Sequence, residues 1–135
     1  MAGVIPNEGE ALIASLVMKR TLTDRDATLE LGLFTNAAPG EATALADITE
    51  PTGTGYARIA LVDANWTGSA DTRAYPVQTF TAGAGGWTGS VYGYFIATVA
   101  AGGTPRLLCY EVDASGPYTF AANDSYQVTP SVAFA

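Results

Sequence analysis

The hydrophobic pattern of this chain predicts one helix followed by a series of strands. The most apolar stretch, Ser90–Thr98, is rich in aromatic and β-branched residues and follows the turn-like glycines at 83–86. This combination predicts a β-strand. Side chains of a strand alternate between two faces. One face would carry Val91, Gly93, Phe95 and Ala97, and the other would carry Tyr92, Tyr94, Ile96 and Thr98.

Neither face of this central strand is polar, whereas a strand with one face in water alternates between apolar and polar residues. We therefore expect the strand to be covered on both sides. An opposing sheet would cover one side, and the N-terminal helix or a partner subunit would cover the other. Gly93 in mid-strand indicates a bulge or the close approach of another backbone or ring.

Residues 7–20 have the pattern of an amphipathic helix. Asn7 suits the N-cap, and Glu10, three residues later, is typical of a capping box. The apolar stripe at helical spacing consists of Leu12, Ile13, Leu16 and Val17. The helix is predicted either to cover the sheet or to dock on another subunit, and residues 1–6 before it are predicted to form an N-terminal arm.

Further strand-like segments are separated by turn signals. They are 29–35, 56–62, 75–81, 106–112, the short 118–121, and 125–134, where Pro130 indicates a position near an edge. The pattern predicts a single all-β domain over residues 1–135, mainly an antiparallel, jelly-roll-like β-sandwich with one N-terminal amphipathic α-helix. The pattern does not distinguish an open sandwich from a closed barrel.

One long segment, 36–55, shows neither the hydrophobic periodicity of a helix nor the alternation of a strand. It is interrupted by Pro39, Gly40 and Pro51. A structureless loop of this length is unusual within a compact domain and is often functional. We interpret it as an extended loop that contacts a partner. The predicted interface residues are Ile5 and Pro6 in the arm, Leu45 and Ile48 in the loop, and Tyr92 and Tyr94 in the central strand.

Charge argues against nucleic acid as a partner, and the hydrophobic pattern argues against a membrane. The net charge is −7 with only six Lys and Arg, and no basic run supplies the clustered cations that nucleic-acid binding requires. No apolar run approaches the roughly 20 residues of a membrane span, and no signal-peptide pattern is present. We expect a soluble protein made in a reducing compartment, with neither nucleic acid nor membrane as partner.

Candidate chemistry is sparse. The chain has no histidine and one cysteine, Cys109, which excludes a Ser-His triad, a Cys/His zinc site and an internal disulfide. Cys109 lies in an apolar strand and is predicted to be buried and unreactive. The remaining acidic pairs lie in turn-like sequence, where Asp usually bonds the local backbone: Asp24 with Asp26, Asp63 with Asp71, and Glu111 with Asp113. We predict no enzymatic activity, no cofactor and no metal.

Glu111 stands in an otherwise apolar strand, on the same predicted face as Leu107 and Cys109. A carboxylate on an inward face needs a partner, and Arg58 is the first candidate, with Arg106 second. We predict a structural Arg58–Glu111 ion pair that fixes strand register. A predicted tyrosine patch on neighbouring strands or turns, formed by Tyr92, Tyr94, Tyr110 and Tyr118, suits sheet packing, a sugar site or a protein interface.

Several short motifs, in their order along the chain, resemble a family of small structural proteins encoded by tailed bacteriophages. The resemblance runs from Val4 to Phe134 and is most specific at Val91–Phe95. The other motifs are Ile5–Glu10, Leu33–Asn36, Gly55–Ala57, Gln78–Phe80, Tyr110–Glu111, Gly116–Tyr118 and Val128–Pro130.

The resemblance implies a virion protein with a β-sandwich fold, most readily a head decoration (cement) protein that binds the outer shell and bridges capsomers. Its partners would be the major capsid protein and further copies of itself, as a trimer or, less favoured, a dimer. It would be made in the host cytoplasm and located on the capsid surface. The alternative is a tail component or a receptor-binding adhesin that recognises a cell-surface glycan, and a free carbohydrate-binding module is a third reading.

Overall fold

The computed structural model describes residues 3–16, 28–69, 71–99 and 104–134. In these ranges the chain forms one α-helix, α1 (Asn7–Ala14), and eight strands. The strands are β1 (Thr28–Phe34), β2 (Ile59–Leu61), β3 (Thr72–Ala74), β4 (Gln78–Thr81), β5 (Gly93–Val99), β6 (Leu107–Val112), β7 (Ser125–Val128) and β8 (Ser131–Ala133).

The strands form one larger sheet and two small ladders. The four-stranded sheet has the order β2-β1-β5-β6, and β3 pairs with β8 while β4 pairs with β7. Every one of these pairings is antiparallel. The predicted mainly antiparallel β architecture with one N-terminal helix is therefore confirmed.

β5 is the centre of the large sheet, and its residues 93–98 are all buried. Two glycines permit the close packing around it. A Cβ at Gly93 would overlap the carbonyl oxygen of Glu111, and a Cβ at Gly32 would overlap the ring of Phe95. The prediction that this strand is covered on both sides is confirmed, and so is the close approach expected at Gly93.

A large apolar cluster, here the first cluster, joins one face of the four-stranded sheet to both small ladders. Its members are Leu31, Leu33, Leu61, Tyr75, Phe80, Ala82, Trp87, Val91, Tyr94, Ile96, Cys109, Phe120, Val128 and Val132. Phe80, Val128 and Val132 come from the small ladders, so burial of this one cluster holds the three β units together.

The second cluster consists of Phe34, Phe95, Ala97, Leu107 and Tyr110. The chain's own loop packs on this cluster through Leu45 and Ile48. Glu8 at the start of α1 fixes the loop, because its Oε2 accepts hydrogen bonds from the backbone N–H groups of Leu45 (2.8 Å) and Leu107 (2.7 Å). The segment 36–55 is thus packed onto the molecule and is not the extended loop that was predicted, while its contact with a partner stays a prediction.

The loop holds its shape through local hydrogen bonds that the sequence signal did not reveal. The side chain of Asn36 donates to the Asp47 carbonyl and accepts from the Thr49 N–H. Asp47 in turn accepts from the Ala44 N–H and ends a short 3-10 turn, Leu45–Asp47. Asn and Asp side chains that bond nearby backbone replace regular structure in this way.

The N-terminal segment is also integrated into the fold. Gly3 donates to the Ser131 carbonyl, and Val4 exchanges hydrogen bonds with Tyr110. The α-helix begins at Asn7 with Pro6 as its N-cap, so the prediction of Asn7 as N-cap is wrong by one residue. The predicted continuation of the helix over residues 17–20 lies outside the described residues.

Several strands begin or end at other residues than predicted. The single strand predicted at 125–134 is two strands, and each pairs in a different ladder. Pro130, which lacks an N–H group, lies between them and is buried. The segment 56–62 contributes only Ile59–Leu61, the segment 118–121 contributes one bridge between Val91 and Tyr118, and β3 was not predicted.

Candidate interaction surfaces

Two of the six residues predicted to form an interface are buried, and the other four, Ile5, Leu45, Ile48 and Tyr92, are half-buried. Pro6 is fully buried and Tyr94 is only 6% exposed. Ile5 packs half-buried against the first cluster. The prediction of an exposed contact surface at Pro6 and Tyr94 is therefore wrong, because both side chains are used in internal packing.

The predicted tyrosine patch is divided by an irregularity next to Gly93. Val91 belongs to the first cluster together with Tyr94, whereas Tyr92 packs half-buried against the second cluster. Strict alternation would place Tyr92 and Tyr94 on one face. Since β5 begins only at Gly93, the alternation predicted from Ser90 onward does not extend across this position.

The predicted Arg58–Glu111 ion pair does not form, because the two side chains lie on opposite faces of the sheet. Glu111 is opposite Tyr94, on the face of the first cluster, whereas the Arg58 guanidinium lies 5.1 Å from the centre of the Phe95 ring, on the other face. A register irregularity between Ile96 and Ala97 also separates Leu107 from Glu111, which were predicted to share a face.

Arg58 instead closes a polar network at the end of the loop. Its Nε donates to Glu50 (3.0 Å), and its Nη1 lies 3.6 Å from Glu30 Oε2. The Tyr56 hydroxyl donates to Glu50 and accepts from the Leu33 N–H at 3.0 Å. Burial and the hydrogen bond to Glu50 raise the pKa of Tyr56, and the Glu50 hydrogen bond raises the pKa of Arg58.

A cleft of about 490 Å³ lies between the end of β6 and the β7–β8 connection, here called the edge cleft. Its walls are two runs of consecutive residues, Glu111–Ala114 and Tyr126–Thr129, together with Tyr94 and Ser131. Successive residues of a strand face opposite sides, so a wall of consecutive residues means that the cleft follows the edges of β6 and β7.

Two tyrosine–carboxylate pairs lie in the edge cleft. The Tyr94 hydroxyl donates to Glu111 Oε2 at 2.7 Å, and the Tyr126 hydroxyl donates to Asp113 Oδ2 at 2.8 Å. The backbone N–H of Ser115 donates to the other Asp113 oxygen. Burial, followed by the hydrogen bond to the carboxylate, raises the pKa of both tyrosines. Each phenol therefore remains a neutral donor at physiological pH.

The arrangement favours binding over acid–base chemistry. Each carboxylate of the Glu111/Asp113 pair is held by its own phenol, and no proton is shared between the two acids in the described contacts. Of the other acidic pairs, Asp63 opens a short 3-10 turn and Asp71 is exposed in the turn before β3, while Asp24 and Asp26 lie outside the described residues. Across the described part of the chain, no group of three or more metal-ligating side chains occurs.

A second surface feature is an apolar groove of about 240 Å³, here called the Trp66 groove. It is lined by Leu29, Trp66, Arg73, Leu108, Val132 and Phe134. The Trp66 Nε1 atom is buried and has no hydrogen-bond acceptor among the described residues, and the Phe134 side chain is 39% exposed. A buried donor without an acceptor is rare in folded proteins and requires an explanation.

Cys109 is fully buried in the first cluster, as predicted. Burial raises the pKa of its thiol to about 12, which leaves the reactive thiolate scarce at neutral pH. Sequence reasoning missed Glu8, Glu50 and Trp66. The partners of Glu8 are far away along the chain, and those of Glu50 are six and eight positions away, across an irregular segment. Trp66 Nε1 has no acceptor among the described residues. No local pattern marks any of the three.

No protein-family model, curated protein or solved structure matched this chain in comparisons with known proteins. Among the described helices, none combines the length and the apolar character needed to cross a membrane.

Proposed function

We propose that this chain is a structural protein of a tailed-bacteriophage virion, and specifically a capsid decoration protein that binds the outer head shell and bridges neighbouring capsomers. The major capsid protein would be its partner, and further copies of the chain would associate as a trimer, with a dimer as the alternative. The proposal joins the family resemblance of the sequence to a surface suited to a protein partner.

The observation that carries this proposal is the Trp66 groove. Trp is enriched at protein interfaces because it offers a large apolar surface and one polar N–H. Here that N–H is buried without an acceptor beside an exposed phenylalanine, Phe134. The apolar side chains of a neighbouring subunit would cover the groove and the exposed part of the Phe134 ring.

The internal packing is consistent with such a role. The large sheet is covered on both faces by the chain itself, and the polar ends of the covering loop are tied by Glu8 and Glu50. A module that does not reorganise on binding loses little conformational entropy. The packing of the two small ladders against the four-stranded sheet supports a description as a β-sandwich, with the jelly-roll connection as part of the proposal.

Quantification of the chain in purified particles tests the proposed location. A decoration protein is expected in many copies per head, in a fixed ratio to the major capsid protein, and it raises the melting temperature of the shell because it binds only the assembled form. A few copies per particle, or loss of the chain with detached tails, would contradict the decoration role.

A matched pair of variants tests the groove. Phe134→Ala removes the exposed ring of the groove, whereas Tyr75→Phe removes a hydroxyl that already bonds Val62 and Asn65 inside the fold. We expect Phe134→Ala to weaken binding to empty heads with little effect on the stability of the free protein, because the ring is 39% exposed. Tyr75→Phe should lower stability and leave the binding of folded protein unchanged.

The edge cleft favours a second candidate function, a tail component or adhesin that binds a cell-surface glycan. Its tyrosines and carboxylates offer the combination of ring surface and hydrogen-bond acceptors that sugars use. Glycan-array binding that is abolished by Asp113→Asn would support this function. Absence of binding at millimolar sugar would remove it.

A further inference from the structure

The edge cleft lies between the outer edges of β6 and β7. Beyond the bridge of Val4 to Tyr110, no described residue pairs with the outer edge of β6 or with that of β7. Tyr110 of β6 points its backbone N–H and C=O away from β5, since both bond to Val4. Outward-pointing groups recur at every second residue of an antiparallel strand, so the backbone of Val112 also points away from β5, into the cleft that it lines.

The opposite wall of the cleft, formed by β7, also presents a backbone edge that points away from its paired strand. Ala82 donates to the Asp124 carbonyl, which fixes the hydrogen-bonded pairs of the β4–β7 ladder at every second residue. Tyr126 and Val128 therefore bond to β4, and the backbone of Gln127 between them points outward. Gln127 also lines the edge cleft.

The chain itself shows how such a gap is filled. Its N-terminal segment runs between β8 and β6 and bridges both, with Gly3 paired to Val132 in parallel and Val4 paired to Tyr110 in antiparallel orientation. The edge cleft continues this gap toward Val112. An unpaired strand edge is a template for an added strand.

We propose that the edge cleft binds an extended segment of another protein by β-strand addition, with its backbone paired to β6 at Val112 and to β7 at Gln127, and with a lysine or arginine side chain directed to Asp113. Main-chain hydrogen bonds supply affinity in this mode of recognition, and pockets for alternate side chains supply specificity. The proposal depends on the strand edges and not on the proposed virion role.

Charge complementarity identifies the occupant as basic. Asp113 is contacted by two neutral donors, the Tyr126 hydroxyl and the Ser115 N–H, and no cation among the described residues pairs with it. The chain carries six Lys and Arg against thirteen Asp and Glu, and Arg58 is engaged by Glu50 and Glu30. A second copy is thus a poor source of the basic side chain, which favours a different protein.

Two synthetic peptides test the proposal on the full chain. They are acetyl-Thr-Val-Lys-Val-Thr-amide and the same peptide with Glu in place of Lys, titrated into labelled protein and followed by NMR. We expect the Lys peptide to shift the amide signals of Val112 and Gln127 and to slow their hydrogen exchange. The Glu peptide should bind at least about tenfold more weakly, because like charges face each other in the cleft.

Two variants of Val112 test whether the peptide binds through the backbone N–H of this residue or only through the shape of the cleft. Val112→Pro removes the outward N–H, and Val112→Thr keeps it; the spectrum of each free variant first establishes that it is folded. The Lys peptide should bind Val112→Thr as it binds the parent chain and should fail to bind Val112→Pro. Asp113→Asn should reduce the preference for Lys over Glu by about two- to fivefold, the range of a solvent-exposed ion pair.

Other outcomes would overturn the proposal. These are no binding at millimolar peptide, binding that persists in Val112→Pro, and shifts confined to the Trp66 groove. Binding that occurs only after removal of residues 1–2 would identify the chain's own N terminus as the occupant and would equally contradict a foreign partner.

Discussion

Two regions of the molecule use the same residue types to opposite effect. Over the second cluster, Glu50 accepts hydrogen bonds from Tyr56 and also pairs with Arg58, so acid, phenol and cation close one network. In the edge cleft, Asp113 accepts from Tyr126 in the same manner, but no cation among the described residues completes the arrangement. A tyrosine–carboxylate pair thus fixes the position of a carboxylate without neutralising its charge.

The two carboxylates differ in what covers them. Loop 36–55 packs on the second cluster beside the Glu50 network, and the Glu50 side chain is only 24% exposed. A half-buried charge without a counter-charge is costly, so Arg58 is needed there. Asp113 in the edge cleft is half-buried as well, but there the Tyr126 hydroxyl and the Ser115 N–H donate to the carboxylate, and no cation among the described residues balances its charge. That unbalanced charge is the one proposed to bind a partner.

The closed region should be the more sensitive to the loss of apolar volume. Phe95→Ala removes the ring that covers Gly32 and supports Arg58. We expect the free energy of unfolding to fall by about 3–5 kcal/mol, the range for truncation of a buried phenylalanine, as measured by urea denaturation. Val99→Ala at the 37% exposed end of the same strand is the control and should cost less than about 1 kcal/mol. Equal losses would contradict the tight packing inferred for this face.

Both regions should lose stability at alkaline pH. The pKa values of Tyr56, Tyr94 and Tyr126 are raised by burial and by hydrogen bonds to carboxylates. In the unfolded chain these phenols lose their protons near pH 10, whereas the folded protein retains them to higher pH. Above pH 10 the unfolded state thus binds fewer protons, and the free energy of unfolding falls as pH rises, by up to about 1.4 kcal/mol per pH unit for each tyrosine.

Thermal melts between pH 8 and pH 11, with tyrosinate absorbance recorded in parallel, measure this effect. Tyr94→Phe and Tyr56→Phe should each flatten the decline above pH 10, one for each region. A melting temperature that does not change up to pH 11 would contradict the raised pKa values. So would a phenolate absorbance of the folded protein at pH 10 that is lower in Tyr56→Phe or Tyr94→Phe than in the parent chain, because it would show that the replaced tyrosine had already lost its proton.

Removal of one charge distinguishes the closed network from ordinary surface charge. Glu50→Gln leaves Arg58 with only the longer contact to Glu30 and weakens the acceptor of the Tyr56 hydroxyl. We expect a loss of about 1–3 kcal/mol, as for hydrogen bonds to charged groups. Glu10→Gln on the exposed side of α1 is the matched control, and surface substitutions of this kind usually change stability by less than about 0.5 kcal/mol. Similar losses in both variants would show that the network is not a specific feature of the loop.

Three strands of the four-stranded sheet were predictable because each is a continuous run of apolar residues. The apolar runs at β1, β5 and β6 predicted strands close to those observed, and the absence of a polar face on β5 predicted its double coverage. The identity of the cover was not predictable. Glu8 secures the loop and bonds Leu107, which is 99 positions away in the sequence. Glu50 secures the other end by bonding Arg58, and no hydrophobic or polar period links these two residues.

The errors at the candidate site have a geometric origin. The ion pair predicted for Arg58 and Glu111 assumed uninterrupted alternation, and the register irregularity between Ile96 and Ala97 changes which residues of β6 share a face. The predicted interface at Tyr94 assumed that an aromatic strand exposes one face, whereas the two small ladders cover it. The strand pattern placed β4, β7 and β8 within predicted segments, but it missed the three-residue strand β3 and did not show that 125–134 divides between two ladders.

The smallest expected effect belongs to the open region and bears most directly on the comparison. Tyr126→Phe removes the phenol that holds Asp113 but leaves the ring in its contact with Tyr118 and Phe120. We expect a loss of about 0.5–1.5 kcal/mol, the net value of one hydrogen bond, together with a more mobile Asp113 side chain by NMR. Tyr118→Phe is the matched control, because its hydroxyl bonds to no residue in the described ranges. If Tyr126→Phe instead destabilised the chain as much as Glu50→Gln, the carboxylate in the edge cleft would be a structural group like Glu50, and the contrast between a closed network and a cleft with a charge available to a partner would fail.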